Sequence, residues 1–594
     1  MRHAHTVIAL ACVLSAAPAF AWAGGAPPAP PLPAPAALVR QVKVTTDKAP
    51  DCSSLKAIAE TVTRGCKTND EKAIAIYNFM QLSNYHHAYP TEKGGVGALK
   101  EINVYGWSLC GGLHSVQSAL WRELGWQWRF VGWSNPGHTT VEAFYDGRWH
   151  YLDVFLKIYL WMPMKDAPGG RTIAGEADIK ADSALVTDGL VLDPARKVYY
   201  HKGNRFEMAG GRANWMAPAF LVCGDEPAGV ISGVKSSRDA GSPTGWASIN
   251  FESPGYSTDV NLAPGWSLTL DWSAIEGAHW FSGQAKVPAH SCGDKDFRNN
   301  PSCGPILEPY IHVGGGRRTY ANGRLVFAPD FSTDACLKGL AAAENVKWAG
   351  GQIVPADPGK PASVAVAVQS PYIMTKASAQ ADVAEKVEVS TDAGKSWKAA
   401  EPADFSKEVA GQYACLVRVA LGSALKSLRI EATVQHNRCA LPYLSPGRNK
   451  VTVAAADPRE LGDSRLVVTY AYTLGSRSMT PERMTETGAE IARAHGATWA
   501  KTPTVVQRVF TAKDLPATFD IDVPTPKGKQ PVYPCMLFLR REVLAPGAKP
   551  AAPQQRGPTG QGLPEGAIEA KVGPDEELKS LPNPFHIGFA AAAE

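Results

Sequence analysis

The apolar pattern of this sequence changes its period along the chain, and this change limits the folds that the chain can adopt. Between about residues 40 and 235, apolar residues recur at helical spacing in some segments and alternate in others. Beyond about residue 235, helical patterns nearly disappear, and short alternating runs bounded by turn residues follow one another. Because 594 residues are too many for one hydrophobic core, the sequence predicts several domains, first a mixed one and then mostly-β ones.

Two helices are predicted in the region 40–235. Asn69 can cap the first, and the second runs from Cys110 to Trp126. Alternating segments follow them, so this region is predicted to combine helices with strands. The residues that repeat at helical spacing are Ala73, Ile74, Tyr77 and Met80 in the first helix, and Leu113, Val116, Leu120 and Leu124 in the second.

The alternating runs predict antiparallel β-sandwich domains at 236–447 and 448–544. Turn residues separate the runs, among them Asn322-Gly323. The second region also contains one predicted helix at 480–496, which starts with Thr-Pro and stops at Gly. The predicted strands are 267–271, 324–327, 363–368, 386–389, 414–419 and 427–434 in the first region, and 465–472, 505–510 and 535–540 in the second.

The first 23 residues have the pattern of a secretory signal peptide. Arg2 precedes an apolar run at 6–17, and two overlapping A-x-A sites end at Ala21 and Ala23. The run is too short to span a bilayer as a mature helix, and no later segment is continuous and apolar enough to do so. We therefore expect an exported protein, periplasmic or extracellular, with no membrane span in the mature chain.

Two further segments are expected to lie outside the folded domains. Residues 24–39 are rich in Ala and Pro, and this composition predicts a semi-extended linker. A similar composition begins near Ala545, and we expect the tail 545–594 to be disordered.

Charge and histidine spacing exclude several classes of partner. The 60 Lys and Arg residues against 56 Asp and Glu give a net charge of +4, so no large basic field is present and nucleic acid is not an expected partner. The histidines, such as His86, His87 and His436, lack the ligand spacing of a zinc site. No metal and no other cofactor is predicted.

Export makes disulfide bonds possible. The chain has 11 cysteines, and removal of the signal peptide with Cys12 leaves ten. Cys52 with Cys66 and Cys292 with Cys303 are close enough in sequence for local disulfides, although spacing does not determine the connectivity. If one thiol is kept for chemistry, at least one more of the ten is not in a disulfide.

Cys110 is the candidate nucleophile, because it stands where a loop enters the second predicted helix. The unpaired N–H groups and the dipole of a helix N-terminus favour a thiolate. Gly111 and Gly112 follow it, although glycine is a poor helix former. Close approach of a substrate to the backbone would explain these two glycines.

A hairpin supplies the partners of this thiol. The dipeptide Asp146-Gly147 provides the positive φ angles of a two-residue turn. In the resulting register Thr140 faces Asp153, so His138 and Asp153 share a sheet face as diagonal neighbours, at roughly 7–8 Å between backbones. Asp153 can then orient the imidazole of His138 towards the thiol. The predicted strands of the hairpin are 139–145 and 148–154.

His114 is the alternative base. It lies four residues after Cys110 and therefore on the same face of the predicted helix. We place it behind His138, because its ring is expected to lie along the helix and because the pattern places no acid to orient it.

These residues and their order resemble the transglutaminase-like superfamily of papain-type cysteine enzymes. The resemblance covers roughly residues 65 to 160, including the helix EKAIAIYNFM before the nucleophile and the Asp-Gly-Arg-Trp turn of the hairpin. It implies an α+β papain-like catalytic domain at 40–235, with Cys110 as nucleophile, His138 as general base and acid, and Asp153 as the orienting group. It also implies acyl transfer at amide or ester carbonyls, to an amine or to water, without a cofactor.

The sequence departs from this family in the connection between helix and hairpin. Trp126, Trp128 and Trp133 crowd that short segment, so the substrate preference of the family does not carry over. We expect a protein, peptide or cell-surface polymer as substrate, with water favoured over an amine as acceptor in a dilute extracellular setting. The alternative is a binding protein, in which the catalytic-like domain is inert and the β modules hold a polysaccharide or cell-wall component.

The run STDAGKSW at 390–397 contains a pattern that resembles the Asp-box, S-x-D-x-G-x-T-W, with Ser396 in place of Thr. Sialidases carry several copies of this motif around a propeller, and only one copy is present here. We interpret it as a structural hairpin turn, in which Asp392 accepts hydrogen bonds from backbone donors and Trp397 packs beneath.

Overall fold

The structure of this chain is a computed structural model. The predicted leader at 1–23, the predicted helix at 480–496, and Cys292 and Cys303 lie outside the described residues. The residues that the structure describes are 32–86, 89–90, 92, 95–134, 137–154, 158–182, 184–187, 190–193, 198–201, 234–236, 255–272, 274–275, 277–280, 320–382, 386–476, 498–499, 503–523, 532–550 and 584–586.

Most of the described helices lie in the N-terminal part. They are α1 (Leu55–Val62), α2 (Asn69–Ser83), α3 (Ala98–Lys100), α4 (Cys110–Glu123), α5 (Glu176–Ala181) and α6 (Ala184–Thr187), and a π-helix (Glu101–Tyr105) follows α3 directly. The strands of this part are β1 (Lys43–Thr46), β2 (Tyr85–His86), β3 (Trp107–Ser108), β4 (Gln127–Ser134), β5 (Gly137–Tyr145), β6 (Arg148–Asp153), β7 (Ile158–Tyr159), β8 (Trp161–Pro163), β9 (Arg171–Ile173), β10 (Leu190–Asp193), β11 (Val198–His201) and β12 (Val234–Ser236).

Both predicted helices are confirmed, with small differences at their ends. The N-cap of α2 is Thr68, one residue before the predicted cap Asn69, and its hydroxyl accepts a hydrogen bond from the N–H of Glu71 at 3.1 Å. This is a capping box, since the Glu71 side chain in turn accepts from the N-cap backbone. Helix α4 begins at Cys110, as predicted, and ends at Glu123.

The predicted hairpin is confirmed in its register. Tyr145 pairs with Arg148 across the turn, and Glu142 pairs with Tyr151. Asp146 and Gly147 have φ angles of 49° and 77°, as a two-residue turn of this kind requires. Strands β5 and β6 belong to a five-stranded sheet with the order β12-β4-β5-β6-β7.

Helix α2 fixes both ends of this hairpin. At its start, Asp70 accepts a hydrogen bond of 2.6 Å from the hydroxyl of Tyr145, beside the turn. At its end, the side-chain amide of Gln81 donates to the carbonyl of Val154 at 2.6 Å, next to the last residue of β6. Both bonds are buried, so the hairpin cannot move far from α2 without leaving polar groups unsatisfied.

The rest of the described chain is mostly strand, so the predicted change from a mixed region to β-rich regions is confirmed. The short helix α7 (Ser406–Val409) lies among strands, which are β13 (Trp266–Asp271), β14 (Tyr320–Phe327), β15 (Ala342–Glu344), β16 (Val346–Trp348), β17 (Ile353–Pro355), β18 (Ala362–Gln369), β19 (Ile373–Ala381), β20 (Lys386–Ser390), β21 (Lys398–Ala400), β22 (Ala414–Leu421), β23 (Leu428–Asn437), β24 (Gly447–Ala454), β25 (Arg465–Ser476), β26 (Thr498–Trp499), β27 (Thr504–Phe510), β28 (Ala517–Val523) and β29 (Val532–Leu544). The described 3₁₀-helices are Pro168–Gly170, Asp334–Gly339, Arg438–Ala440, Pro458–Leu461 and Pro584–His586.

All strands predicted between residues 267 and 540 are present, but they combine across the expected boundary at residue 447. One eight-stranded sheet has the order β19-β23-β14-β13-β29-β25-β26, with β27 on β25, and so takes strands from both predicted β regions. A three-stranded sheet joins β1, from the N-terminal part, to β24 and β28. A separate five-stranded sheet has the order β15-β18-β22-β20-β21. The first of these sheets forms from distant segments, which an alternating pattern alone does not pair.

The dipeptide Asn322-Gly323 is not a turn, contrary to the sequence-based expectation. Both residues lie inside β14. A Cβ on Gly323 would come within 2.6 Å of the carbonyl oxygen of Thr269, so glycine is needed for close approach of the neighbouring strand. The Asn322 side chain accepts a hydrogen bond from the N–H of Ile275 at 2.7 Å and therefore supports a neighbouring loop.

The single Asp-box-like segment is a structural turn, as interpreted from the sequence. It connects β20 to β21 in a hairpin. Both oxygens of Asp392 accept hydrogen bonds from Ser396, 2.9 Å from its N–H and 2.6 Å from its hydroxyl, and these bonds lower the pKa of Asp392 to about 2. The guanidinium of Arg418 lies 4.1 Å from the centre of the Trp397 ring.

The predicted local disulfide between Cys52 and Cys66 is not formed. Both residues are thiols in the structure. Helix α1, with a rise of about 1.5 Å per residue, separates the two segments that carry them.

The two segments expected to lie outside the folded domains are packed in part. Val39, in the predicted linker, is buried and exchanges two backbone hydrogen bonds with Leu262. Phe585, in the tail expected to be disordered, is 4% exposed and packs against Phe79 of α2. The expectation of disorder to residue 594 therefore does not hold for Pro584–His586, because this segment buries an aromatic side chain.

Within the described residues, no helix has the length and apolar character needed to cross a membrane.

Candidate active site

Cys110 is the first residue of α4 and is partly buried. It is a thiol and not half of a disulfide. The first hydrogen bond within this helix runs from the N–H of Leu113 to the carbonyl of Leu109 at 2.9 Å. The N-cap residue Leu109 has no side-chain acceptor for the N–H groups that precede this bond. The helix therefore begins with a thiol in an electropositive position, which favours its ionised form.

His114 connects the start of α4 to the end of β6, and its side chain is fully buried. Its Nδ1 lies 2.6 Å from the carbonyl oxygen of Cys110, one helical turn earlier. Its Nε2 lies 3.2 Å from the backbone N–H of Val154 and 3.3 Å from the hydroxyl of Thr140. A backbone N–H can only donate, so Nε2 accepts, and Nδ1 carries the proton that it donates to Cys110.

Asp153, the last residue of β6, is fully buried beside this ring. Its Oδ1 lies 3.4 Å from Nε2 of His114, and its Oδ2 accepts a hydrogen bond of 2.9 Å from the hydroxyl of Tyr151. Burial, and next the negative charge of Asp153, raise the pKa of Tyr151 well above its usual range. Tyr151 therefore stays a neutral donor to the carboxylate.

The structure places two of the three predicted site residues with their side chains. The third, His138, pairs with Trp133 of β4 near the start of β5, and its side chain lies outside the described residues. Asp153 contacts His114, which corrects the expectation that no acid lies near that histidine. The hairpin register was predicted, but this contact depends on how α4 crosses the sheet.

A tyrosine and a buried acid lie near the thiol. Burial is the main cause that raises the pKa of Tyr89, and the charges of Cys110 and Glu101 add to it, so Tyr89 is close to both. Glu101, the first residue of the π-helix, accepts a hydrogen bond of 3.2 Å from the amide of Asn84. Complete burial is the main cause that raises the pKa of Glu101 well above its usual range.

The β-rich part holds the π-helix that leads to the nucleophile. The side-chain amide of Asn437, at the end of β23, donates to the carbonyls of Ser83 and Ile102 at 2.8 and 2.7 Å. The amide of Gln435 donates to the carbonyl of Val104 at 3.3 Å. A π-helix leaves carbonyls without the usual helical partners, and these amides satisfy two of them. A strand that is distant in the sequence therefore holds the π-helix that precedes Cys110 in the chain.

A second buried contact joins the two parts at Glu92. Its Oε1 accepts hydrogen bonds of 2.5 Å from the hydroxyls of Tyr105 and Tyr413, and its Oε2 lies 2.8 Å from the ammonium of Lys100. The side chains of Lys100 and Glu92 are only 10% and 7% exposed, and Lys100 also lies over the rings of Tyr256 and Tyr413. Removal of either charge would leave the other one buried.

Sequence reasoning missed several of these residues. Tyr151 had a usable signal, since a tyrosine two residues before an aspartate on a strand shares its face. His114 was recognised by its spacing from Cys110, but its contact with Asp153 was not. No local sequence pattern indicates a role for Tyr89 or for the side-chain amides of β23. In the described part of the chain, no group of three or more His, Cys, Asp or Glu side chains is arranged to hold a metal ion.

Comparison with known proteins gives one match. Residues 56–164 match the family model described as the transglutaminase-like superfamily. This range contains α1, α2, α4 and the hairpin that carries Asp153, so the match covers the whole candidate site. No curated protein and no solved structure gave a match.

Proposed function

We propose that this chain, whose residues 56–164 form a transglutaminase-like domain, is an exported cysteine enzyme that transfers acyl groups from amide or isopeptide bonds of a protein, peptide or cell-surface polymer. Cys110 is the nucleophile, His138 the general base and acid, and Asp153 the group that orients it. Water is the preferred acceptor, so the net reaction is hydrolysis, and an amine acceptor would make it crosslinking.

One observation carries this proposal. The Cys110 thiol lies at the start of α4, and the buried ring of His114 joins that same turn to the strand end that carries Asp153. Nucleophile and acid are therefore held in one rigid unit. An activated nucleophile requires such fixed partners, because its reaction depends on a preformed geometry.

The reaction follows in two steps. His138 takes the proton of the Cys110 thiol, the thiolate attacks the carbonyl carbon, the C–N bond breaks, and the leaving amine takes the proton from the imidazolium. Water then gives a proton to the imidazole and attacks the acyl carbon, the C–S bond breaks to release the acid, and the imidazolium returns its proton to the sulfur. The N–H groups at the start of α4 stabilise the oxyanion in both steps.

His138 is assigned as the base because both ring nitrogens of His114 already form hydrogen bonds. Nδ1 of His114 donates to the carbonyl of Cys110, and its Nε2 accepts from Val154, so neither nitrogen is open to the thiol proton. Positions 138 and 140 fall on the same face of β5, since successive strand residues alternate. Thr140 reaches the ring of His114 from that face, 3.3 Å away.

Thiol labelling of the full chain tests the nucleophile. Iodoacetamide is expected to modify Cys110 faster than any other cysteine, with the modified residue identified by mass spectrometry. Cys110→Ala should abolish this fast labelling and the release of acid from an amide substrate. Cys66→Ala is the matched control, since Cys66 is also a partly buried thiol, whose pKa burial raises to about 12. Fast labelling that persists in Cys110→Ala contradicts the proposal.

A further inference from the structure

A cavity of about 400 Å³ lies where the N-terminal segment meets the β-rich part. Its wall includes Lys43 of β1, Asn103 of the π-helix, Tyr372 and Arg541 of β29. Cys110, His138 and Asp153 do not belong to its lining, so this inference is independent of the proposed function.

Arg541 is a buried cation in this wall, with a residue exposure of 7%. One of its Nη atoms donates to the carbonyl of Val42 at 3.1 Å, and its guanidinium also bonds the hydroxyl of Tyr372. Among the described residues no carboxylate forms an ion pair with it, and its Nε has no hydrogen-bond partner. A buried guanidinium without a negative partner is costly, so this side chain is prepared for an anion.

The other charged groups around the cavity do not neutralise it. The ammonium of Lys43 is paired with Asp51 at 2.6 Å. Asp259 accepts a hydrogen bond from the Gln41 amide at 3.3 Å, at an exposed position. His436 packs against Tyr372, but burial lowers its pKa to about 3, and it is neutral. Among the described residues, Arg541 is therefore the buried cation of this wall that has no ion-pair partner.

We propose that this cavity binds a small organic molecule through a carboxylate or phosphate group, with Arg541 as its counter-charge. The planar guanidinium fork matches such an oxyanion. The volume is that of a small-molecule site, which a bare ion does not fill. Leu441, Pro442 and Leu539 supply an apolar wall for the body of the molecule.

Thermal unfolding of the full chain with added anions tests the site. Potassium acetate and potassium phosphate represent the two oxyanion sources, and potassium chloride at equal ionic strength is the reference. A saturable rise in Tm above the chloride value is expected from at least one of them, because a ligand that binds only the folded state stabilises it. The anion that raises the Tm shows whether the ligand binds through a carboxylate or a phosphate group. No rise with either anion overturns the proposal.

Two variants on neighbouring positions of β29 decide whether Arg541 is responsible. Arg541→Met is expected to weaken the apparent anion affinity by at least about tenfold, since a hydrogen bond to a charged group is involved. Arg540→Met is the matched control, because Arg540 alternates onto the other face and pairs with Glu542 at 2.8 Å. An equal response in the wild type and Arg541→Met overturns the proposal.

A third variant keeps the test decisive if Arg541→Met does not fold. Lys43 is 43% exposed in its side chain, so Lys43→Gln is expected to fold. It leaves the carboxylate of Asp51 without its counter-charge in the cavity wall, and this negative charge should weaken the anion affinity several-fold. An unchanged affinity in Lys43→Gln would then overturn the site.

Discussion

The carboxylate of Asp153 lies 3.4 Å from Nε2 of His114, on the helix whose first residue is Cys110. The contact joins a sheet to a helix inside a fully buried region, where the ring already has two closer hydrogen-bond partners at Nε2. His114 therefore positions the start of α4 against the end of β6 through the hydrogen bonds of its two ring nitrogens. The two histidines that the sequence offered have different tasks in the proposed enzyme.

The first prediction separates these tasks. His138→Ala is expected to lower the rate of acyl transfer by about 10²- to 10⁴-fold, the usual contribution of a general base. His114→Asn should lower the free energy of unfolding by about 1–3 kcal/mol, because buried polar groups lose their partner, with a smaller effect on the rate. Steady-state kinetics and urea unfolding of both variants measure this.

The pH dependence of Cys110 alkylation provides the control for this prediction. Loss of a base that exchanges a proton with the thiol changes the inflection of the rate against pH, whereas loss of a positioning residue leaves it in place. We expect the pH of this inflection to change in His138→Ala and to be unchanged in His114→Asn. The opposite order would assign the base to His114.

The second prediction concerns the contact between β23 and the π-helix. Asn437→Asp keeps the side-chain shape but removes both amide donors, so the carbonyls of Ser83 and Ile102 lose their partner. Each buried group that is left unsatisfied costs about 1–3 kcal/mol. Because this π-helix leads to Cys110, alkylation of the thiol should slow as well. Arg429→Ala on the same strand, at an exposed position, should change neither quantity.

Equal alkylation rates in Asn437→Asp and the wild type would show that the β-rich part does not influence the nucleophile. A fall in stability alone would then assign Asn437 to the fold and not to the site. Urea unfolding and the alkylation rate, measured on the same samples, separate these outcomes.

The sequence predicted the local parts of this site and missed the distant ones for a physical reason. The start of α4 at Cys110 and the register around Asp146-Gly147 follow from helix and turn preferences over a few residues. The bond between Asn437 and Ile102 joins residues 335 positions apart, and no periodic pattern encodes such a contact. The same holds for the eight-stranded sheet, in which Asp271 of β13 pairs with Phe538 of β29, 267 positions later in the chain.

The third prediction concerns the packed segment of the tail. Phe585→Ala should lower the free energy of unfolding by about 2–3 kcal/mol, the transfer free energy of one buried phenylalanine. The backbone carbonyl of Phe585 also accepts a hydrogen bond from Asn78 of α2 at 3.0 Å, and this bond would open with the segment. Hydrogen exchange of the backbone amides of α2 measures the local effect and should be faster in Phe585→Ala than in the wild type.

His586→Ala is the control for this segment, since His586 is more exposed and contacts the carbonyl of Arg64 at 3.1 Å. Its effect on stability should be below about 1 kcal/mol, the range of a single exposed hydrogen bond. Equal exchange in α2 for Phe585→Ala and the wild type would show that the tail segment is not bound in solution.

The fourth prediction follows from the buried neutral His436. Burial lowers its pKa from 6.5 to about 3, so between these values the unfolded chain binds a proton that the folded chain does not. This group therefore reduces stability as the pH falls below 6.5, by roughly 1.4 kcal/mol per pH unit, until the folded pKa is reached. His436→Phe removes the proton uptake, so the loss of unfolding free energy between pH 7 and pH 5 should be smaller by about 2 kcal/mol than in the wild type. Urea unfolding at the two pH values measures the difference, and equal losses in the two proteins would mean that His436 is protonated in the folded state.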